Sequence, residues 1–344
     1  MRATSSPDAR QRDSARRLAL LAALAFVVTV AAAGVEVVGP RAEERPARLL
    51  PVRIRAKRAH ARSVREPGAD GRRDLVVFEG SVSIVRGAET LRCERAALDF
   101  VAANEGGRVA ERIEATGRVR LETPTRRAEG ERLLYEADAG RVTLSGPPRP
   151  AVRQSGDVIR ADAFLYFPEE DRFEAAGFVA ARLAASPAEG TPAPEEEAIV
   201  SRERETLVEC AGGASWDRPL GQGVFREGVR VRQEGFDLAC DELYVTTEER
   251  PGPSAAGETR ARIRRLTAAG NVRLTTRTRT ATGVRAVYDP EARVFEIRGE
   301  PAARLREGDV TLEAPGIRYI VGEEKWESVG GPFHIVKGKK EGAR

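Results

Sequence analysis

One unit recurs in phase along this chain. Residues 115–146 read ATGRVRLETPTRRAEGERLLYEADAGRVTLSG, and residues 268–299 read AAGNVRLTTRTRTATGVRAVYDPEARVFEIRG. Both open on A-x-G-x-V-x-L, and Gly270 lies 153 positions after Gly117. The same spacing relates Tyr135 to Tyr288, Gly146 to Gly299, Tyr166 to Tyr319 and Gly177 to Gly330 without a gap. Such a repeat constrains architecture before any single residue does. A unit of roughly 30 residues cannot bury its apolar face alone and must stack on a neighbour.

Within the unit the period is two. Val119 and Leu121 alternate with Arg118, Arg120 and Glu122, and Val142 and Leu144 with Arg141 and Thr143. Val76, Phe78, Val82 and Ile84 alternate with polar residues apart from one shift at Gly80-Ser81. Short alternating runs bounded by Gly and Pro predict half-buried strands. Nothing after residue 38 sustains a helical period. The segment Glu94–Phe100 (ERAALDF) has helical propensity, but its match to Asp241–Val245 (DELYV) predicts strand. The glycine ahead of each V-x-L is expected where the chain turns, at positive φ.

Charge excludes one class of partner. The 57 Lys and Arg nearly cancel the 53 Asp and Glu, leaving a formal charge of +4. The two signs are interspersed, so the basic stripe that nucleic-acid binding requires is missing. Cys93, Cys210 and Cys240 cannot all pair. Cys93 and Cys240 fall at similar places in the two arrays, and strands about 4.8 Å apart put such positions beyond disulfide reach. They are expected to be buried core residues. No C-x-x-C spacing suggests a metal, and no cofactor motif occurs.

The N-terminal segment directs the body across a membrane. Residues 1–17 end in Ala15-Arg16-Arg17, and Leu18–Val35 follows as 18 residues without a charge. That run is a candidate span, and its positive flank places the N-terminus in the cytoplasm. Two readings stay open: an uncleaved anchor over 18–38, which we prefer, and a signal peptide cut after Ala31-Ala32-Ala33. The expected organisation is then a Pro- and Arg-rich linker over 39–74, with a candidate first strand at Leu49–Ile54. A first β array covers 75–183, a Pro/Ala/Glu-rich break 184–206, a second β array 207–336 and a solvated tail 337–344.

The repeated A-x-G-x-V-x-L unit resembles the OstA-like domains of the LptA, LptC and LptD N-terminal proteins of lipopolysaccharide transport. The resemblance covers about 75–183 and 207–336. It implies an all-β fold, an open antiparallel jelly roll of two V-shaped packed sheets in two tandem arrays, here behind one N-terminal transmembrane helix. It also implies that the apolar groove between the sheets takes the acyl chains of lipopolysaccharide or a similar envelope lipid. Open strand edges would join other OstA-like domains by edge pairing. An anchored protein of this type resembles LptC, which implies an LptBFG-type ABC transporter as partner and an inner-membrane, single-pass protein with its body in the periplasm. LptC-like proteins typically hold one such domain, so the doubling departs from that pattern.

The alternation supplies the candidate groove residues. They are Val82, Ile84, Val119, Leu121, Leu133, Tyr135, Val142 and Leu144 in the first array. In the second they are Val229, Val231, Val272, Leu274, Tyr288, Phe295 and Ile297, with Ala286 opposite Leu133 in the repeat. Burying acyl chains rewards many weak contacts, about 25 cal/mol per Å², so the set matters more than any member. The competing assignment for each is plain sandwich core. Arg118, Arg120, Arg126 and Arg127 are candidates for phosphate groups or, alternatively, a solvated strand face. His60 and His334 are the only histidines, far apart in sequence, and no nucleophile or hydrolase motif accompanies them, so the chain is read as no enzyme. Two other readings remain: an envelope scaffold that assembles edge to edge without carrying lipid, and a parallel β-helix that binds polysaccharide.

Overall fold

The computed structural model describes residues 52–65, 72–102, 108–124, 126–154, 156–167, 169–183, 205–217, 219–251, 259–290, 292, 294–320 and 325–337. The predicted anchor at 18–38, and 184–204 of the predicted break, lie outside these. Among the described residues no helix is long and apolar enough to cross a membrane. Every regular element is a strand, as the period-two pattern requires.

The chain divides into two compact units, one of Met1–Ser155 and Arg160–Phe173, the other of Gly156–Ile159 and Glu174–Arg344. The strands reached first are β1 (Val52–Arg55), β2 (Arg58–Arg65), β3 (Arg72–Arg86), β4 (Glu89–Ala102), β5 (Arg108–Glu122), β6 (Arg126–Glu136), β7 (Arg141–Ser145), β8 (Ala151–Gln154) and β9 (Asp157–Phe167). There follow β10 (Arg172–Leu183), β11 (Thr206–Cys210), β12 (Ala214–Asp217), β13 (Gln222–Gln233), β14 (Phe236–Pro251), β15 (Thr259–Thr276) and β16 (Arg279–Asp289). The last are β17 (Val294–Glu307), β18 (Val310–Ile320), β19 (Lys325–Val329) and β20 (His334–Lys337). The segment expected as linker, 39–74, therefore carries β1, β2 and the start of β3. Its short Ala59 and Ala61 and its alternating Val52 and Ile54 pair with β3 despite the density of arginine.

In the first unit β3, β4, β5 and β6 form a meander, and β6 continues onto β7 at one end and β8 at the other. The second unit repeats this with β13, β14, β15, β16, β17 and β18. These pairings are antiparallel, and consecutive strands are hairpin-connected. A parallel β-helix is thereby excluded, because its coils pair parallel strands. In the first unit β1 and β2 both lie along β3, and in the second β19 and β20 both lie along β18.

The glycine ahead of V-x-L does not turn the chain, contrary to the expectation from sequence. Gly117 (φ +82°) and Arg118 (φ +48°) sit inside β5, where the register with β6 shifts between Thr116 and Val119. Gly270 (φ +71°) and Asn271 (φ +45°) do the same inside β15, between Ala269 and Val272. Two consecutive left-handed residues insert an extra position and bend the strand, which is a β-bulge. Pairing resumes beyond it, so the strand bends and does not end. Bulges also break strict alternation. In β4 the buried residues are Leu91, Cys93, Ala96 and Leu98, stepping by three across the bulge. Within ERAALDF itself Ala96 and Leu98 step by two, so its helical propensity is overridden by the strand pattern.

Bent strands let the apolar face fold onto itself. In the second unit Phe236 of β14 and Phe295 of β17 have ring centroids 5.9 Å apart. Within a flat sheet these strands would be separated by three spacings of about 4.8 Å each. The sheet of that unit therefore curls, and opposite ends of its strands meet across the core.

Candidate functional site

The interior of each unit is built from apolar rows running across the strands. In the first unit one row runs Ile84, Leu91, Leu121, Ala128. Beyond the bulges lie Ala96, Ala115, Leu133, Leu144, Phe164 and, next to it, Leu98, Ile113, Tyr135, Val142, Tyr166. The second unit aligns Val231, Leu238, Leu274, Ala281, Leu305, and beyond its bulges Leu243, Ala268, Ala286, Ile297, Ile317. Its outermost row is aromatic: Tyr288 stacks on Phe295 at 4.4 Å, and Tyr319 on Trp326 at 4.3 Å.

The inward candidates from the sequence fall on these rows. Val82, Ile84, Val119, Leu121, Leu133, Tyr135, Val142 and Leu144 are all buried, none more than 7% exposed. So are Val229, Val231, Val272, Leu274, Tyr288, Phe295 and Ile297, and the most exposed of them is also at 7%. In this conformation they form the buried interiors of their units. Sequence alternation missed Ala96, Leu98, Ile113, Leu243 and Leu266, which are also buried, because the bulges move the inward phase.

The cysteines belong to the same interior. All three are buried and free. Cys93 faces Val82 across β3 and β4, and Cys240 faces Val229 across β13 and β14. Burial pushes both thiols up to about 12, so they stay protonated and unreactive at neutral pH. Among the described residues no group of His, Cys, Asp and Glu suits a metal ion.

The outward face is charged and, in the first unit, internally neutralised. Glu129 on β6 takes Arg127 from its own strand, Nε at 2.9 Å. Across the strands it takes Arg120 Nε of β5 at 3.3 Å and Arg153 Nε of β8 at 3.6 Å. Partial burial pulls the Glu129 carboxyl upward. The Arg127 hydrogen bond and the charges of Arg127, Arg120 and Arg153 outweigh it and hold the group below its ordinary value. Arg118 Nε reaches Glu94 at 2.8 Å, and Arg126 Nε reaches Gln154 at 2.6 Å. The four arginines considered for phosphate are thus held by the protein's own acceptors.

These elements define an all-β chain of antiparallel, bulged strands, doubled in phase around two apolar interiors. The chain belongs to the family of lipopolysaccharide transport proteins that comprises LptA and the LptD N-terminal domain, which it matches over residues 65–172 and 211–325, one stretch in each repeat. Among solved structures it is similar to LptH, the LptA-homologous periplasmic component of the lipopolysaccharide transport device of Pseudomonas aeruginosa. That similarity is 18% identity over 42% of this chain and 90% of LptH, with a TM-score of 0.28. No curated protein matches the chain.

Proposed function

We propose that this protein is a periplasmic component of lipopolysaccharide transport that takes acyl chains against the inward rows of both units and passes them toward the outer membrane. The carrying observation is that the family pattern occurs twice, each time around a continuous apolar interior in the same register. Because those rows are buried, lipid entry requires the sheets of a unit to part, with side-chain contacts exchanged for acyl contacts of equal apolar area. Such an exchange is close to neutral per Å² and suits a carrier that must also release its cargo. The N-terminal run Leu18–Val35 supports anchoring in the inner membrane beside an LptBFG-type transporter, and the terminal strands β1, β2, β19 and β20 offer edges for pairing with other OstA-like domains.

The test is photo-crosslinking in cells with a reactive residue at Val119, Leu121, Val272 or Leu274. Lipopolysaccharide adducts at inward positions of both units support the reading. Adducts at none, while a family member treated in parallel gives them, remove it. A second reading rests on the complete burial of the same residues: a scaffold whose core stays closed and which assembles by its edges. It predicts edge-dependent oligomers and no adduct inside either unit.

A further inference from the structure

The two units carry equivalent outward rows with their charges placed differently. In the first, Glu129 lies between Arg120 and Ala151 in register, and Arg127 opposite Arg153. In the second, Thr282 takes the Glu129 position between Arg273 and Arg304, and Thr280 lies opposite Arg306. The carboxylate that gathers three guanidiniums in the first unit is a neutral hydroxyl in the second, while the arginines equivalent to Arg120 and Arg153 remain as Arg273 and Arg306. Where Glu129 stands in the first unit, the second has a cavity of about 570 Å³, lined by Arg273, Thr280, Thr282, Arg304, Arg306, Thr311 and Glu313. Arg304 is occupied, its Nε 2.8 Å from Glu313. Arg306 gives only its Nε to the Gly308 carbonyl, at 3.2 Å, and Arg273 makes no ion pair among the described residues.

We infer that this outer-face cavity of the second unit binds a phosphate or phosphomonoester dianion, in the place that the first unit fills with the Glu129 carboxylate. Two guanidiniums on either side supply charge-assisted donors whose planar geometry matches phosphate oxygens. Thr280 and Thr282 on β16 supply hydroxyl donors between them, and Thr311 on β18 lies opposite Arg306. The inference is independent of the lipid interior, because the cavity lies on the opposite face of the strands.

The first unit also supplies the control substitution. Thr282→Glu places the first unit's own anion in the cavity and therefore keeps the fold. Isothermal titration of the full chain in detergent micelles with inorganic phosphate at low ionic strength should show saturable binding. Thr282→Glu and Arg273→Gln should each weaken it by roughly ten-fold or more. Glu129→Thr should add a second phosphate equivalent by opening the matching place in the first unit. Phosphatidylcholine vesicles with and without phosphatidate separate the sources. Phosphatidate-dependent recruitment that Thr282→Glu abolishes assigns a lipid headgroup, and phosphate binding without recruitment assigns a soluble phosphomonoester. No saturable binding by the unaltered chain, or equal binding by Thr282→Glu, overturns the inference.

Discussion

The two units have the same backbone plan but place their carboxylate hubs differently on the outer face. The first gathers Arg120, Arg127 and Arg153 around Glu129. The second has Thr282 there and sets its hub at Glu296, where Arg298 Nε lies at 2.8 Å and Arg318 at 3.3 Å. The position equivalent to Glu296 in the first unit is Thr143. Inward residues keep their apolar character and register across the duplication even where size changes, as from Leu133 to Ala286 and from Val142 to Phe295, whereas outward residues trade charge for hydroxyl. Packing fixes the former, because each inward side chain must fit its cross-strand neighbours. The latter face water and are free to diverge, so function can be written on one unit without disturbing the other.

The largest effects should be equal in the two units. Leu121→Ala and Leu274→Ala each empty a fully buried site, and each should cost about 2–5 kcal/mol in chemical denaturation. A loss confined to one of them would show that the interiors are not equivalent. The bulge glycines come next. A Cβ on Gly117 would lie 2.6 Å from Glu94 Cβ, and one on Gly270 would lie 2.2 Å from Asp241 Oδ2. Both positions are left-handed, so Gly117→Ala and Gly270→Ala should each cost about 1–2 kcal/mol of backbone strain before the clash is counted. Thermal unfolding would read it. The residues that follow differ: Asn271 tolerates positive φ better than Arg118 does, and Arg118→Asn should be tolerated for that reason.

Smaller effects distinguish the units. Glu129→Gln should cost about 0.2–1 kcal/mol at neutral pH and low salt, with the loss shrinking as salt screens the arginines. The sign with pH follows from the direction of the shift. The folded carboxyl is held below its ordinary value, so its contribution is full above that value, about 4.3, and vanishes as pH falls through the lower folded value. Unfolding midpoints of Glu129→Gln and the unaltered chain should therefore converge in acid. Glu296→Gln should behave the same way in the second unit, where the Arg298 hydrogen bond, opposed by burial and aided by Arg318, lowers the carboxyl. Smallest of all, alkylation of Cys93, Cys210 and Cys240 in the folded chain at neutral pH should be negligible, since burial raises all three thiols.

Much of this was legible in the sequence, for a reason the residues make plain. The in-phase repeat predicted strands, and the alternation around V-x-L picked inward residues that are all buried. What it missed lies at the bulges. Gly117 and Gly270 read as turn glycines because positive φ is shared by turns and bulges, and only cross-strand register separates the two. The same bulges shifted the inward phase and hid Ala96, Leu98 and Leu243. The outer-face difference between Glu129 and Thr282 was present in the letters. It acquired meaning only when register placed each of them between arginines from neighbouring strands.

The central claim is that the inward rows of both units open to lipid. Amide hydrogen exchange of the full chain, with and without lipopolysaccharide, tests it most directly. The account predicts changed exchange in residues 113–121 of β5 and in residues 266–274 of β15 together. Unchanged exchange in both segments while lipopolysaccharide is bound would place the lipid elsewhere and contradict it.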